Sequence, residues 1–392
     1  MRRSRLPAGG ANVFQQIRQR RSEAEAAGIK LLDLSIGEPK GPALMSARQA
    51  ASAAVLSDAE AMHAYQYNES AAVPDFARRF INAHLQRDFA DEDVDYLPIP
   101  GIKPILGLLP LACGCAGEEL GVATTAPGYP IPANWCAYHP NVTHQSIQLN
   151  SANAFRFGPA DIPAGTELLM TNYPHNPSGQ IANDAWFREI CAYCAENNIR
   201  LFNDAAYVAL SHDDESATLS SVAEEFPDLS WAEAFTAAKL IGNGTGWHVG
   251  AMVGSPDFIA DMKEVKGKTD AGFVAAMAAG VIATLEEDQA GIDGFRALYR
   301  ERLDQLMALM GNAGMRLAIE PRAGFYTLWE TPTEAFGEPV NSAAEFNFSM
   351  IERTGVVGVH FGNFLRYAVC ADVKSMYGDL EDAFRQARIS YD

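Results

Sequence analysis

ELLMTNYPHNPSGQIANDAWFREICAYCAENNIRLFNDAAY, residues 167–207, holds two apolar runs of strand length, at 167–173 and 199–204, on either side of a helical pattern. A strand, a helix and a strand in that order read as one unit of an α/β sheet. Within DAWFREICAYCAENN, Cys191 and Cys194 stand three apart and share one face of an amphipathic helix, so both are assigned to core packing rather than to redox or zinc chemistry. No second CxxC accompanies them.

Outward from this stretch the alternation continues. Further strand-like runs lie at 94–99, 120–126, 143–149, 231–236 and 248–254, with helical patterns such as PILGLLPLACG between several of them. The reading is an α/β fold with a mostly parallel sheet covered by helices on both faces. From about residue 290 the character changes: a long helical stretch, GFRALYRERLDQLMALMGNAG, precedes the short strand-like pieces MRLAIE, GFYTLWE and FLRYAVC. These read as a smaller α+β domain, on which the N-terminal helix ANVFQQIRQRRSEAEAAG and the strand LLDLS also pack. The expected division is 1–45 for an N-terminal arm and part of the small domain, 46–290 for a large domain, and 291–392 for the rest of the small one.

At 392 residues and 48% hydrophobic content the chain can bury one large core and a smaller one. Its formal charge of −19 repels phosphate backbones and anionic membrane surfaces, which argues against nucleic acid and membranes as partners. An anionic small molecule stays admissible, because a few donors or one arginine reverse the potential locally. No secretory or membrane-spanning apolar run is found, and six cysteines in so long a chain do not form a disulfide framework, so a cytoplasmic protein is expected.

In open α/β sheets, ligands sit outside the carboxyl ends of the strands. Read in order, those ends carry Gly101-Ile102-Lys103, Pro127-Gly128-Tyr129, Asn172 to Gly179, Asp204-Ala205-Ala206-Tyr207, Thr236-Ala237-Ala238-Lys239 and Gly246-Trp247-His248-Val249-Gly250. Taken singly each is weak: NPSG is a turn sequence, and a lone lysine is a solvated charge. Their order and common location carry the argument.

Together, NYPHNPSG, then DAAY, then a lysine preceded three positions earlier by a hydroxyl residue, resemble the class I/II aminotransferases, the aspartate-aminotransferase-like branch of fold-type I pyridoxal-phosphate enzymes. The resemblance also takes in LLDLSIGEP, the stretch from Tyr67 to Pro74, and FLRYAVC. It implies pyridoxal 5′-phosphate as cofactor, with Lys239 forming a Schiff base to it and later moving a proton. Asp204 pairs with the ring nitrogen and keeps it protonated. Asn176 and Tyr207 reach the phenolic oxygen, and Tyr129 stacks on the ring face. Gly101, Ile102, Lys103 and the Thr236 hydroxyl receive the phosphate at a strand-to-helix junction. Arg366 takes the substrate α-carboxylate as a bidentate pair, and Gly37 lets the chain approach it closely. Tyr67 corresponds to a tyrosine that reaches the phosphate of the neighbouring subunit, which implies a homodimer. No metal is called for.

Two departures stand out. Where the family carries G-W-R-x-G this chain has Gly246-Trp247-His248-Val249-Gly250, so His248 becomes the candidate phosphate ligand, after a glycine-rich LIGNGTG that looks one residue longer than the common form. Residues 70–74 read Ser-Ala-Ala-Val-Pro where a glycine is common. The implied activity is transfer of an amino group between an L-amino acid and a 2-oxo acid. The alternatives are a C–S β-lyase or another pyridoxal-phosphate enzyme on the same scaffold, and an inactive binding or regulatory relative. A substrate with an acidic side chain needs a second cation, for which Lys263, Lys266 and Lys268 are candidates only by position, surface lysines being the plainer reading.

Overall fold

The computed structural model describes residues 13–89, 93–270 and 272–392. Two-sided burial organises its main sheet. Successive residues of a strand face opposite ways, so in the strand Leu168–Thr171 Leu169 enters one core while Leu168 and Met170 enter the other. Leu201 and Phe202, and Ala251 and Met252, divide in the same way. Helices therefore cover both faces, as the apolar strand runs require.

In chain order the strands are β1 (Leu32–Asp33), β2 (Asp95–Ile99), β3 (Leu120–Ala126), β4 (Val142–Gln148), β5 (Leu168–Thr171), β6 (Arg200–Asp204), β7 (Trp231–Thr236), β8 (Gly250–Gly254), β9 (Leu317–Ile319), β10 (Tyr326–Glu330), β11 (Glu334–Ala335), β12 (Glu338–Pro339), β13 (Val356–Val357), β14 (Val359–Phe361) and β15 (Phe364–Ala368). The seven-stranded sheet runs β2-β8-β7-β6-β5-β3-β4. Only β8 opposes the other six, pairing antiparallel with both β2 and β7. The carboxyl ends of β2, β3, β5, β6 and β7 thus open on one edge of the sheet. Because β8 runs the other way, it is the segment before its first residue that reaches this edge: Gly250 pairs with Thr236 on one side and Ile99 on the other.

A second sheet, β14-β15-β10-β9, is antiparallel throughout, and β1 pairs in parallel with β13. The N-terminal helix Val13–Ala26 packs on the helix Ala343–Thr354 and on β14, burying Ile17 and Ala24 against Ile351, Val357 and Val359. The N-terminal helix thus packs against elements from the last fifty residues of the chain.

Several local expectations are corrected. PILGLLPLACG is two short helices, Ile102–Leu106 and Leu109–Ala112, interrupted at Gly107, where a Cβ would come within 2.6 Å of the Trp135 ring. The run 248–254 becomes strand only from Gly250, because His248 has a left-handed backbone, φ 54°, that a strand does not admit. Cys191 and Cys194 are fully buried on the helix Asp184–Glu196. Among the described residues, no helix is long and apolar enough to cross a membrane.

Candidate active site

A cavity of about 620 Å³ opens at the sheet edge where the parallel strands end. Its wall includes Gly37, Gly101, Ile102, Lys103, Tyr129, Asn176, Asp204, Tyr207, Thr236, Lys239, His248 and Arg366. Of the residues to which the resemblance gives a cofactor or substrate role, Tyr67 alone lies elsewhere. It is 61% exposed, with its ring 5.7 Å from that of Tyr65.

Lys239 follows β7 in a short 3-10 turn capped by Thr236, whose Oγ1 accepts from the Ala238 N–H at 3.1 Å. That bond occupies the acceptor side of the hydroxyl and leaves its proton to donate elsewhere. Burial lowers the Lys239 amine below its ordinary range, against a smaller pull upward from the Asp204 carboxylate. Its Nζ stands 5.1 Å over the Tyr207 ring. Asp204 closes β6 and is nearly enclosed. Burial pushes its carboxyl up to about 6, in spite of the Ala206 N–H that it accepts at 3.0 Å and the nearby lysine. A buried carboxylate with so few donors is held ready for a cationic or protonated partner.

Above these groups stand three phenols. Tyr207 and Tyr326 share a hydrogen bond of 3.1 Å, and burial raises the pKa of both. Burial raises that of Tyr129 as well, with the Asp204 charge as the next contribution. All three are neutral hydrogen-bonding groups at ordinary pH.

The loop after β5 is tied down from behind. Asn172 Nδ2 donates to the Asp204 carbonyl at 2.8 Å, and its Oδ1 accepts from the Asn176 N–H at 3.0 Å. Deeper in, Asn203 donates to the Tyr173 carbonyl and accepts from the Tyr173 N–H, both at 2.9 Å. Asn203 also donates to the fully buried Glu233 at 2.7 Å. Glu233 in turn accepts from the Leu219 N–H and from the Ser220 N–H and hydroxyl. This network holds the backbone that carries Asn176.

Arg366, on β15, is 3% exposed. Its two terminal nitrogens donate to Asn176 Oδ1 at 3.0 Å and to the Ser35 carbonyl at 2.9 Å, while its buried Nε has no partner. Tyr326 and Phe361 flank the guanidinium, with ring centres 4.2 and 5.1 Å from its Cζ. Among the described residues it makes no ion pair. A buried cation without a carboxylate is costly, and its orphaned donor marks a place for an incoming anion. Gly37 matters here for a more immediate reason than approach of the substrate: a Cβ on it would lie 1.9 Å from Tyr326 Oη.

At the other end Gly101 adopts φ +90°, next to the Thr236 hydroxyl, and begins the first turn of Ile102–Leu106, whose leading N–H groups lack helical acceptors. Lys103 and His248 are both exposed on this wall. The set fits pyridoxal phosphate: an amine beside an enclosed carboxylate, phenols over the gap, and donors for a phosphate at one end.

Sequence reading missed Tyr326 and Phe361, gave Asn172 and Ser35 no role of their own within their motifs, and also missed that Phe14, Ile17, Arg18 and Arg21 of the N-terminal helix line the cavity. Their spacing of i, i+3, i+4 and i+7 was a signal of one shared face. The three lysines suggested by position lie outside the lining. Lys263 pairs with Asp95, and Lys268 pairs with Glu264 at 2.7 Å. Lys266 is buried, not a surface charge, and pairs with Asp270 at 2.7 Å.

The sequence pattern of the family described as aminotransferase class I and II matches residues 29–376. Curated relatives include an LL-diaminopimelate aminotransferase of Desulforudis audaxviator, 28% identical over 90% of this chain and 88% of its own length. One of the same name from Nitratidesulfovibrio vulgaris is 27% identical over 88% and 87%. Among solved structures, an aspartate aminotransferase from Rhizobium meliloti superposes with a TM-score of 0.86 at 19% identity, covering 100% of both chains. A probable N-succinyldiaminopimelate aminotransferase from Thermus thermophilus does so with 0.81 at 23% identity, over 96% of this chain and 99% of its own.

Proposed function

The chain belongs to the class I and II aminotransferases, and from that premise we propose that it holds pyridoxal 5′-phosphate through Lys239 and moves an amino group between an L-amino acid and a 2-oxo acid. The observation that carries the assignment of residues is the buried, unpaired Arg366 guanidinium on the same cavity as the Lys239–Asp204 pair.

When bound, pyridoxal phosphate supplies an electrophilic carbonyl for amines and a ring that accepts an electron pair. The rest is the work of this chain. Lys239 Nζ, whose pKa burial lowers, is the amine that attaches the cofactor and, once released, the base that carries a proton from the substrate Cα. Asp204 faces the ring nitrogen and holds a proton there, since its ionised form is stabilised by a cation opposite. Tyr207 and Asn176 donate to the phenolic oxygen. Tyr129 covers the ring face and keeps water off it. Gly101, Ile102, Lys103, Thr236 and His248 bind the phosphate, with backbone and hydroxyl donors standing in for the arginine that this chain lacks. Arg366 orients the substrate carboxylate through its paired donors.

We further infer a homodimer, in which the exposed Tyr67 serves the phosphate of the second copy, and a division of each subunit into an arm at 1–45, a cofactor domain at 46–290 and a small domain at 291–392. Six free cysteines support a reducing compartment, the cytoplasm.

The test is a single-turnover assay with cofactor and one amino donor. We expect one equivalent of 2-oxo acid per subunit and then arrest until an acceptor is added. Continuous release of ammonia would overturn the reading in favour of a lyase. Lys239→Ala should abolish both the visible band of the bound cofactor and its covalent capture by borohydride. Capture persisting in that variant would move the attachment to another amine.

A further inference from the structure

One fully buried acid has no part in the chemistry above. Glu233 stands in the middle of β7, between Trp231 and Phe235, which enter one core on the same face of the strand. Burial raises the pKa of its carboxyl, against the pull of the donors around it. None of those donors is a cation. Oε1 accepts from Asn203 Nδ2 at 2.7 Å and from the Leu219 N–H at 3.0 Å, and Oε2 accepts from the Ser220 N–H at 2.8 Å and the Ser220 hydroxyl at 2.6 Å. A buried acid without a cation costs a fold more than an apolar residue of its size, so stability alone does not account for it.

What the carboxyl does fix is the Asn203 amide. Asn203 is its cross-strand partner on β6, immediately before Asp204. Because Oε1 accepts, Asn203 turns Nδ2 toward it, and Asn203 Oδ1 then faces the Tyr173 N–H at 2.9 Å and the Thr171 hydroxyl at 3.0 Å. The same Nδ2 donates to the Tyr173 carbonyl at 2.9 Å, so residue 173 is clasped through both of its backbone groups. Three residues on, Asn176 presents Oδ1 to Arg366 at 3.0 Å. Glu233 is also part of the strand that leads to Thr236 and Lys239. One carboxyl thereby refers the ends of β5, β6 and β7 to a common point. An amide cannot replace it: in Glu233→Gln the NH2 group faces either the Leu219 N–H and Asn203 Nδ2 or the Ser220 N–H, a donor against a donor in both orientations.

We propose that Glu233 is a positioning residue for the reaction: by fixing the Asn203 amide, and through it residue 173, it sets the Asn176 side chain between Arg366 and the phenolic oxygen of the cofactor. This rests on the aminotransferase reading and adds to it a residue outside the cavity lining on which the geometry of the site depends. The hydrogen bonds of Asn176 are directional, so a small turn of the backbone that carries it weakens both at once.

Two measurements test it on Glu233→Gln or, should that variant not fold, on Asn203→Ser, which removes the clasp and leaves Glu233 its other donors. In cofactor-free protein, hydrogen exchange reads the amides of Tyr173 and Asn176. Both should exchange at least about tenfold faster than in the parent, the range of an unmade bond to a buried group, while the amides of β3 stay within about twofold. In cofactor-loaded protein, the visible band is titrated with pH. Without the Asn176 donor the phenolic oxygen is more basic and keeps the proton it shares with the lysine nitrogen to higher pH, so the midpoint should rise by a roughly tenfold change in proton affinity. Asn176→Ala should do the same, and adding Glu233→Gln to it should move the midpoint no further, because both act on one contact. Exchange that quickens alike in β3 and at residues 173 and 176, a midpoint that stays in place, or shifts that simply add, each overturns the proposal and makes Glu233 a prop of the fold. If no donor yields a 2-oxo acid, the activity is what fails, and exchange in the cofactor-free protein still judges Glu233.

Discussion

At the scale of the residue, Asp204 is the group whose energetics burial makes most visible. Its carboxyl is pushed up to about 6 by burial. A raised acid favours the folded state in its protonated form, so its contribution is greatest below about pH 4, the unfolded range, and is lost as pH rises through about 6. In cofactor-free protein, Asp204→Asn should therefore melt increasingly above the parent between pH 4 and pH 7, by up to about 3 kcal/mol. With cofactor bound the order should reverse in function, the amide losing most of the turnover because it cannot hold a proton on the ring nitrogen. Melting curves of parent and variant that stay parallel across that range would show that the carboxyl is not held out of water. Asp204 and Lys239 were legible in the sequence because one ends a strand and the other follows a strand end within a recognisable motif. Tyr326 was not, because GFYTLWE reads as plain alternation and only the fold brings that strand against Gly37.

At the scale of the element, the strands could be read because apolar runs buried on both faces leave a continuous signal. What no run of residues states is direction. That β8 opposes its neighbours, and so delivers His248 to the cavity from its beginning rather than its end, depends on pairing partners far apart in the chain. The contact between residues 35–38 and β10 is likewise a property of two elements. Gly37→Ala should push the Tyr326 hydroxyl away, break its bond to Tyr207, disturb the ring packed on Arg366, and cost about 1–3 kcal/mol, as overpacking does. Adding Tyr326→Phe should recover only part, because the ring carbon Cζ would still lie 2.8 Å from the new methyl. Denaturant unfolding of the four proteins measures this coupling; strictly additive losses would mean that the two elements move apart freely.

At the scale of the whole molecule, the proposed dimer predicts a mass in solution of about twice 42.4 kDa. It also predicts complementation. Tyr67→Ala and Lys239→Ala should each bind cofactor poorly, yet hybrids of the two contain one site with both residues intact, so mixing after dissociation should restore retention in part. No gain on mixing would confine Tyr67 to its own subunit. A last consequence concerns how the chain is made. Leu32 in β1 pairs with Val356 in β13, more than three hundred residues later. At a synthesis rate of about 5–20 residues per second, the first strand leaves the ribosome roughly a quarter of a minute to a minute before its partner exists. The apolar face of the helix Val13–Ala26 waits as long for its cover of Ile351 and Val359. The strands of the seven-stranded sheet all lie within that interval, so the nascent chain can assemble its centre first while its own beginning is still an unclaimed hydrophobic segment, open to whatever chaperone meets it there.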